Sequence, residues 1–298
     1  MVTTSASGIL LVDKPTGITS HDVVSRTRKA LNMRKVGHAG TLDPMATGLL
    51  VLGVGPATRL LTFIVGLDKT YEATIRLGVS TDSDDADGVV IETTDATSLD
   101  IDEITAGIAE LTGDISQVPS KVSAIKVDGR RAYDRVRAGE EITLAARPVT
   151  VSRFDVTSIR TGETVVEVGV VVDCSSGTYV RALARDLGER LGVGGHLTTL
   201  RRTRIGPFVV DGAPGADDLV DVALIDAPTA AAKVLGRVDV DADEARDLRD
   251  GKRITGAAGR LASARAAAVD PDGALIGIVE ARGKDLKSAM NMPTGDNA

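Results

Sequence analysis

The twelve residues Gly37-His38-Ala39-Gly40-Thr41-Leu42-Asp43-Pro44-Met45-Ala46-Thr47-Gly48 decide how this 298-residue chain is read. Three glycines and a proline in so short a span interrupt any regular helix or strand, so the stretch is a shaped loop. It carries a histidine and an aspartate five positions apart. Arg26, Arg28, Lys29, Arg34 and Lys35 precede it, and the apolar run Leu49 to Val54 follows. A carboxylate fixed in a rigid loop beside positive charge is a place for chemistry on a phosphate-bearing ligand. An Asp-Pro pair is also a common surface turn, in which Asp43 merely caps the chain. The loop alone leaves both readings open.

The apolar fraction of 43% suffices for a core of Val, Leu, Ile and Ala, and the length suggests one large domain plus a small one. The N-terminal residues lead us to expect no secretory leader, no apolar run is of membrane length, and a single cysteine, Cys174, fits a reducing cytoplasm. The net charge of −7 is unevenly spread. Eleven acids and no Lys or Arg lie between Thr81 and Asp114, so everything else sums to +4. Residues 26–35, the set Lys121, Lys126, Arg130, Arg131, Arg135 and Arg137, and the trio Arg201, Arg202 and Arg204 are basic clusters that can converge on phosphate. Each taken singly is also what a solvated face looks like. The acidic stretch would repel phosphate and is expected to lie away from any nucleic acid.

Working outward from the loop, Gly8 to Val12 reads as a strand. Thr19 with Asp22 starts a helix whose apolar face is Val23, Val24, Thr27 and Leu31. Gly48 to Val54 is a buried strand and Pro56 to Val65 a short helix. Thr70 to Leu77 alternates Tyr71, Ala73, Ile75 and Leu77 with polar residues, as a half-buried strand does. Asp82 to Gly88 fails the EF-hand spacing and reads as a polar turn before a strand at Val89 to Glu92. A helix over Ile101 to Leu111 follows, then a basic excursion over 119–147 with a small helix near Ala132 to Ala138. Val149 to Asp173 makes two strands broken at Thr161-Gly162. A helix from Thr178 to Leu191 presents Val180, Leu183, Ala184, Leu187 and Leu191 on one face, with Arg181 and Arg185 on the other. Leu197 to Ile205 resumes as strand.

The usual equipment for metal, redox and phosphoryl chemistry is missing from the motifs. The histidines and Cys174 lack ligand spacing, Val54 stands where a P-loop needs Lys, and no dinucleotide fingerprint follows a strand. Cys174 ends an apolar strand and reads as a buried structural thiol.

The segments Lys14-Pro15-x-Gly-x-Thr-Ser20, Gly37-His38-x-Gly-x-Leu42-Asp43-Pro44-x-Ala-Thr-Gly48, Lys69-x-Tyr71 and Ser176-Gly177-Thr178-Tyr179-Val180-Arg181 stand in one order along the chain. Gly194-Gly195-His196-Leu197 and Leu200-Arg201-Arg202 follow them. In this order they resemble the tRNA pseudouridine-55 synthases, the TruB family, over roughly residues 8 to 230. The resemblance implies an α+β fold with a mixed, largely antiparallel sheet and flanking helices. A β-rich C-terminal domain resembles a PUA-like RNA-binding domain more weakly. The domains expected are 1–232 (catalytic, with 119–147 as an RNA-clamping excursion), 233–284 (PUA-like) and 285–298 (a disordered tail). The implied activity is isomerisation of uridine 55 in the T arm of tRNA, without a cofactor or metal, by a cytoplasmic monomer. Asp43 matches the catalytic aspartate, Arg181 the arginine that pairs with it, and Tyr71 the tyrosine that stacks on the base. His38 matches the residue that fills the space the flipped base leaves in the RNA. Lys14, Tyr179 and Leu200 match substrate-pocket positions. A tRNA-binding or folding protein without catalysis, or a synthase for another RNA, would share this scaffold.

Overall fold

The computed structural model describes residues 7–120, 126–127, 130–131 and 144–293. The chain divides into two compact units. One contains Met1–Pro44, Leu49–Val65 and Gly206–Ala298, the other Met45–Gly48 and Gly66–Ile205. No helix among the described residues is long and apolar enough to cross a membrane.

In the first unit, β1 (Gly8–Lys14) leads to α1 (Ser20–Ala30), then β2 (Val36–His38) and β3 (Thr47–Val54). The expected capping box starts α1. The Thr19 hydroxyl accepts from the Asp22 N–H at 3.1 Å, and the Asp22 carboxylate accepts from the Thr19 N–H at 2.8 Å. Val23 and Val24 of α1 pack with Leu10, Val12, Leu50, Leu52 and Val54, and Leu31 joins from the edge. β2 runs antiparallel to β3, with His38 opposite Leu52. The segment that begins at Pro56 is a 3-10 turn (Gly55–Leu60) continued as α2 (Leu61–Ile64).

The second unit is built on an antiparallel sheet. Its strands are β4 (Lys69–Leu77), β7 (Gly113–Gln117), β10 (Arg147–Thr161), β11 (Val166–Cys174) and β12 (Gly195–Ile205), in the order β12-β4-β11-β10-β7. The first residues of β3 enter this unit, where Thr47 and Gly48 pair in parallel with Arg201 and Arg202. The alternation in β4 holds, because Tyr71, Ala73, Ile75 and Leu77 are all buried. β5 (Val79–Thr81) and β6 (Val90–Thr93) form a separate hairpin, and α3 (Ile101–Glu110) leads into β7. β8 (Lys126–Val127) pairs with β9 (Arg130–Arg131). The helix expected near Ala132 to Ala138, and most of the 119–147 excursion, lie outside the described residues. After β11 comes α4 (Val180–Arg190). Cys174 is buried, and burial pushes its thiol up to about 11, as a structural cysteine requires.

The C-terminal elements belong to the first unit but have their own core. After β13 (Phe208–Val209) and α5 (Ala227–Leu235) come β14 (Arg237–Asp239), α6 (Ala242–Arg249), β15 (Arg253–Ile254), β16 (Arg265–Val269), β17 (Leu275–Arg282) and β18 (Asp285–Asn291). They make a five-stranded sheet in the order β14-β16-β17-β18-β15, around Val238, Leu248, Ala268, Ile276, Val279 and Leu286. Here one expectation is corrected. Residues 285–291 are not a disordered tail but a strand, paired antiparallel with both β17 and β15. Main-chain pairing and one buried side chain, Leu286, hold it, so its polar composition gave no sign of order.

Candidate active site

The loop around Asp43 is clamped on both sides. Ser20, buried in the first turn of α1, accepts the Leu42 N–H at 2.8 Å and donates to the Leu42 carbonyl at 3.1 Å. The Pro44 carbonyl accepts from the Gly17 N–H at 2.8 Å and from Lys14 Nζ at 3.3 Å. Lys14 Nζ also donates to the carbonyls of Pro15 (2.9 Å) and Ile18 (2.8 Å). The main chain is therefore fixed immediately before and immediately after Asp43, while the Asp43 side chain stays half-buried. Such a clamp orients a carboxylate at little entropic cost during reaction. Next door, the Ala39 N–H donates to Val51 O, and His38 at the end of β2 is half-buried.

The structure changes the reading of Lys14. Its side chain has no solvent exposure and its ammonium faces main-chain carbonyls. It acts on the Asp43 loop from within, and contact with a substrate through its charge does not fit that burial.

In the second unit the register of β4 and β12 gathers three residues. Tyr71 lies opposite Arg202 and Ala73 opposite Leu200, so Tyr71, Leu200 and Arg202 share one face of the sheet. Tyr71 and Leu200 are 8% and 7% exposed, so each keeps a small accessible area. Lys69 lies two residues before Tyr71 on the same face. Burial, with the nearby Arg202 charge, pushes its ammonium down to about 8.

Arg181 stands in the first turn of α4, and it is not on a solvated face. It is 3% exposed, and its Nη1 donates to the Ser83 carbonyl at 2.7 Å and pairs with Asp85 Oδ2 at 3.2 Å. Asp85 in turn accepts from the Ser83 hydroxyl and the Asp87 N–H. One turn along the helix, Arg185 pairs with Asp84 at 3.2 Å and Asp186 at 2.6 Å, and donates to the Val118 carbonyl at 2.7 Å. Burial raises the Asp84 carboxyl, against the opposing effects of Ser120 and Arg185.

The acidic stretch therefore divides. Asp82 and Glu92 are exposed, but Ser83, Asp84 and Asp85 are buried partners of α4. Sequence reasoning missed Asp85, because nothing in the period or spacing of an acid-rich turn marks one carboxylate as buried. The expected site residues divide as well. Lys14, His38 and Asp43 belong to the first unit, and Tyr71, Tyr179, Arg181 and Leu200 to the second.

Comparison with known proteins places these observations in a family. Residues 28–180 match the model described as TruB family pseudouridylate synthase (N terminal domain). Residues 181–244 match a tRNA pseudouridylate synthase B C-terminal domain, and residues 235–293 match tRNA Pseudouridine synthase II, C terminal. A tRNA pseudouridine synthase B of Rhodococcus jostii (strain RHA1) is 54% identical over 289 residues, covering 95% of this chain and 93% of that protein. The protein of the same name from Arthrobacter sp. (strain FB24) is 53% identical over 293 residues, covering 95% and 96%. Among solved structures, a chain of an archaeal box H/ACA sRNP Nop10-Cbf5 complex superposes with a TM-score of 0.69 at 22% identity, covering 97% of this chain and 87% of that one. A chain of an H/ACA RNP bound to a substrate RNA containing 2′-deoxyuridine gives 0.68 at 23% identity, with coverage of 97% and 86%. These two likenesses bear on the fold.

Proposed function

The chain belongs to the TruB family of pseudouridine synthases, and on that premise we propose that it converts uridine 55 in the T arm of tRNA to pseudouridine, with Asp43 as the catalytic carboxylate. The reaction breaks the C1′–N1 bond, turns the base, forms C1′–C5, and moves the C5 proton to solvent while N1 takes one up. Atoms and electrons balance without a cofactor. The observation that carries the assignment is the double clamp on the Asp43 loop, by Ser20 at Leu42 and by Gly17 and Lys14 at Pro44. It is the kind of support a pre-oriented catalytic group needs.

The remaining roles follow from the chemistry. A base inside a folded RNA arm must leave its stack to react, at a cost of about a few kcal/mol. Tyr71 and Leu200, buried with a small accessible area on one sheet face, suit a surface against which that base lies. Tyr71 stacks on the base and assists loss of the C5 proton. Arg181 is the arginine we assign to the reaction. Asp85 and the Ser83 carbonyl hold the Arg181 guanidinium in place. Tyr179 lines the pocket, and His38 fills the space left in the RNA. Residues 233–291 form a PUA-like module that grips RNA outside the T loop. We place the reaction in the cytoplasm, carried out by a monomer.

The experiment is incubation of the protein with unmodified tRNA and position-by-position mapping of pseudouridine. Product at position 55 supports the proposal. Product at another position overturns the substrate assignment, and tRNA binding without product overturns the activity.

A further inference from the structure

Gln117 ends β7 and is almost completely buried, at 2% exposure. Its side-chain amide reaches 62 residues along the chain to the main chain of Tyr179. Nε2 donates to the Tyr179 carbonyl at 3.1 Å, and Oε1 accepts the Tyr179 N–H at 2.9 Å. A reversed amide would set oxygen against oxygen and N–H against N–H, so the two contacts fix its orientation. This is a two-point clamp of the kind one strand makes with another.

Tyr179 is the residue that begins α4. It has extended backbone angles (φ −105, ψ 105) and no side-chain capping bond. Its carbonyl also accepts the Leu183 N–H at 3.2 Å, the first bond of the helix. Gln117 thus acts on the one residue whose backbone aims the Tyr179 ring and sets where the first turn, carrying Arg181, begins. The same root of the sheet is tied to the next turn through Arg185, which donates to the carbonyl of Val118. Arg181 is itself fixed from the other side by Ser83 and Asp85.

We propose that Gln117 is a positioning residue for the reaction, holding Tyr179 and Arg181 in the arrangement that the chemical step uses. The inference rests on the reading that Tyr179 and Arg181 serve the site. Removing the amide frees the helix start to shift, and small displacements of reacting groups cost rate more than they cost binding. The effect is therefore on the chemical step, with tRNA affinity largely kept.

Two variants test it in the full-length protein with unmodified tRNA. Gln117→Leu removes both contacts. Gln117→Glu is the informative one. As a neutral acid it accepts from the Tyr179 N–H and donates to the carbonyl, as the amide does. Once ionised it has no proton to donate and its charge faces the carbonyl oxygen. Single-turnover rates at saturating tRNA, tRNA dissociation constants and thermal melts are measured from pH 5.5 to 8.5. The expected result for Gln117→Leu is a roughly 10- to 100-fold lower rate, flat relative to wild type across pH. Its dissociation constant stays within about threefold and it melts cooperatively above the assay temperature. The Gln117→Glu rate approaches wild type at low pH and falls toward that of Gln117→Leu as pH rises. A Gln117→Leu rate within twofold of wild type overturns the proposal. So does a loss that only follows the folded fraction, or a pH-independent Gln117→Glu ratio. Arg181→Lys is measured alongside. If it too reacts at the wild-type rate, the reading of the site fails. If it alone is slow, only the role of Gln117 fails.

Discussion

Arg181 and Asp85 form an ion pair of 3.2 Å in which the side chains are only 4% and 7% exposed. Buried pairs of this kind add little net stability when whole, but removing one partner strands the other charge at a cost of about 3–5 kcal/mol. Asp85→Asn and Arg181→Met are each expected to lower stability by about that amount, read from the midpoint of chemical denaturation. The double variant should cost clearly less than the two together, since no stranded charge remains. Simple additivity would mean that the pair is not coupled.

Ser20 offers a sharper separation of stability from rate. Ser20→Ala leaves the buried N–H and carbonyl of Leu42 without their partner, at a cost of about 1–3 kcal/mol. Because the released segment leads directly into Asp43, the turnover rate should fall about tenfold or more while tRNA binding changes little. Thermal melts and single-turnover assays on the same preparation check both halves.

Gly48 is held by geometry. It has φ +99, and a Cβ at this position would stand 2.3 Å from the Arg202 carbonyl oxygen and 2.9 Å from the Arg202 nitrogen. Both neighbours are main-chain atoms of a paired strand and cannot give way. Gly48→Ala is expected to cost about 3 kcal/mol or more, seen as a lower melting temperature or loss of soluble protein.

Lys69 gives a pH signature. Its folded pKa of about 8 lies below the ordinary 10.5 because of burial, helped by Arg202. Below pH 8 both states carry the proton, and the folded state bears the full penalty of a buried charge. Between pH 8 and 10.5 the unfolded state binds a proton that the folded state has released, so this group's contribution to stability rises with pH. The melting temperature of Lys69→Met relative to wild type should therefore be highest below pH 8 and decline as pH approaches 10.5. A difference that is constant across this range would show that Lys69 is not perturbed.

Much of this was legible in the sequence, and the parts that were not share a physical cause. The β4 alternation, the Thr19–Asp22 box and the apolar stripe of α4 are local patterns, and the structure keeps all three. β18 was missed because its order comes from pairing with β17 and β15 rather than from its own residues. The period of α4 sets Arg181 opposite the apolar stripe but does not show its burial, because its partners, Ser83 and Asp85, are nearly a hundred residues away in an acid-rich turn. Lys14 was found by motif, but its burial against three carbonyls is a property of the folded loop. Local propensity writes itself into sequence, whereas long-range polar pairing shows only when the chain is folded.

The central claim is that Asp43 performs the chemistry, and Asp43→Asn tests it most directly. The substitution keeps the size and shape of the side chain and removes its charge. With unmodified tRNA in single turnover, the account predicts tRNA binding within about threefold of wild type and no pseudouridine at position 55, a rate loss of roughly 10³-fold or more. Turnover by Asp43→Asn comparable to wild type would contradict it.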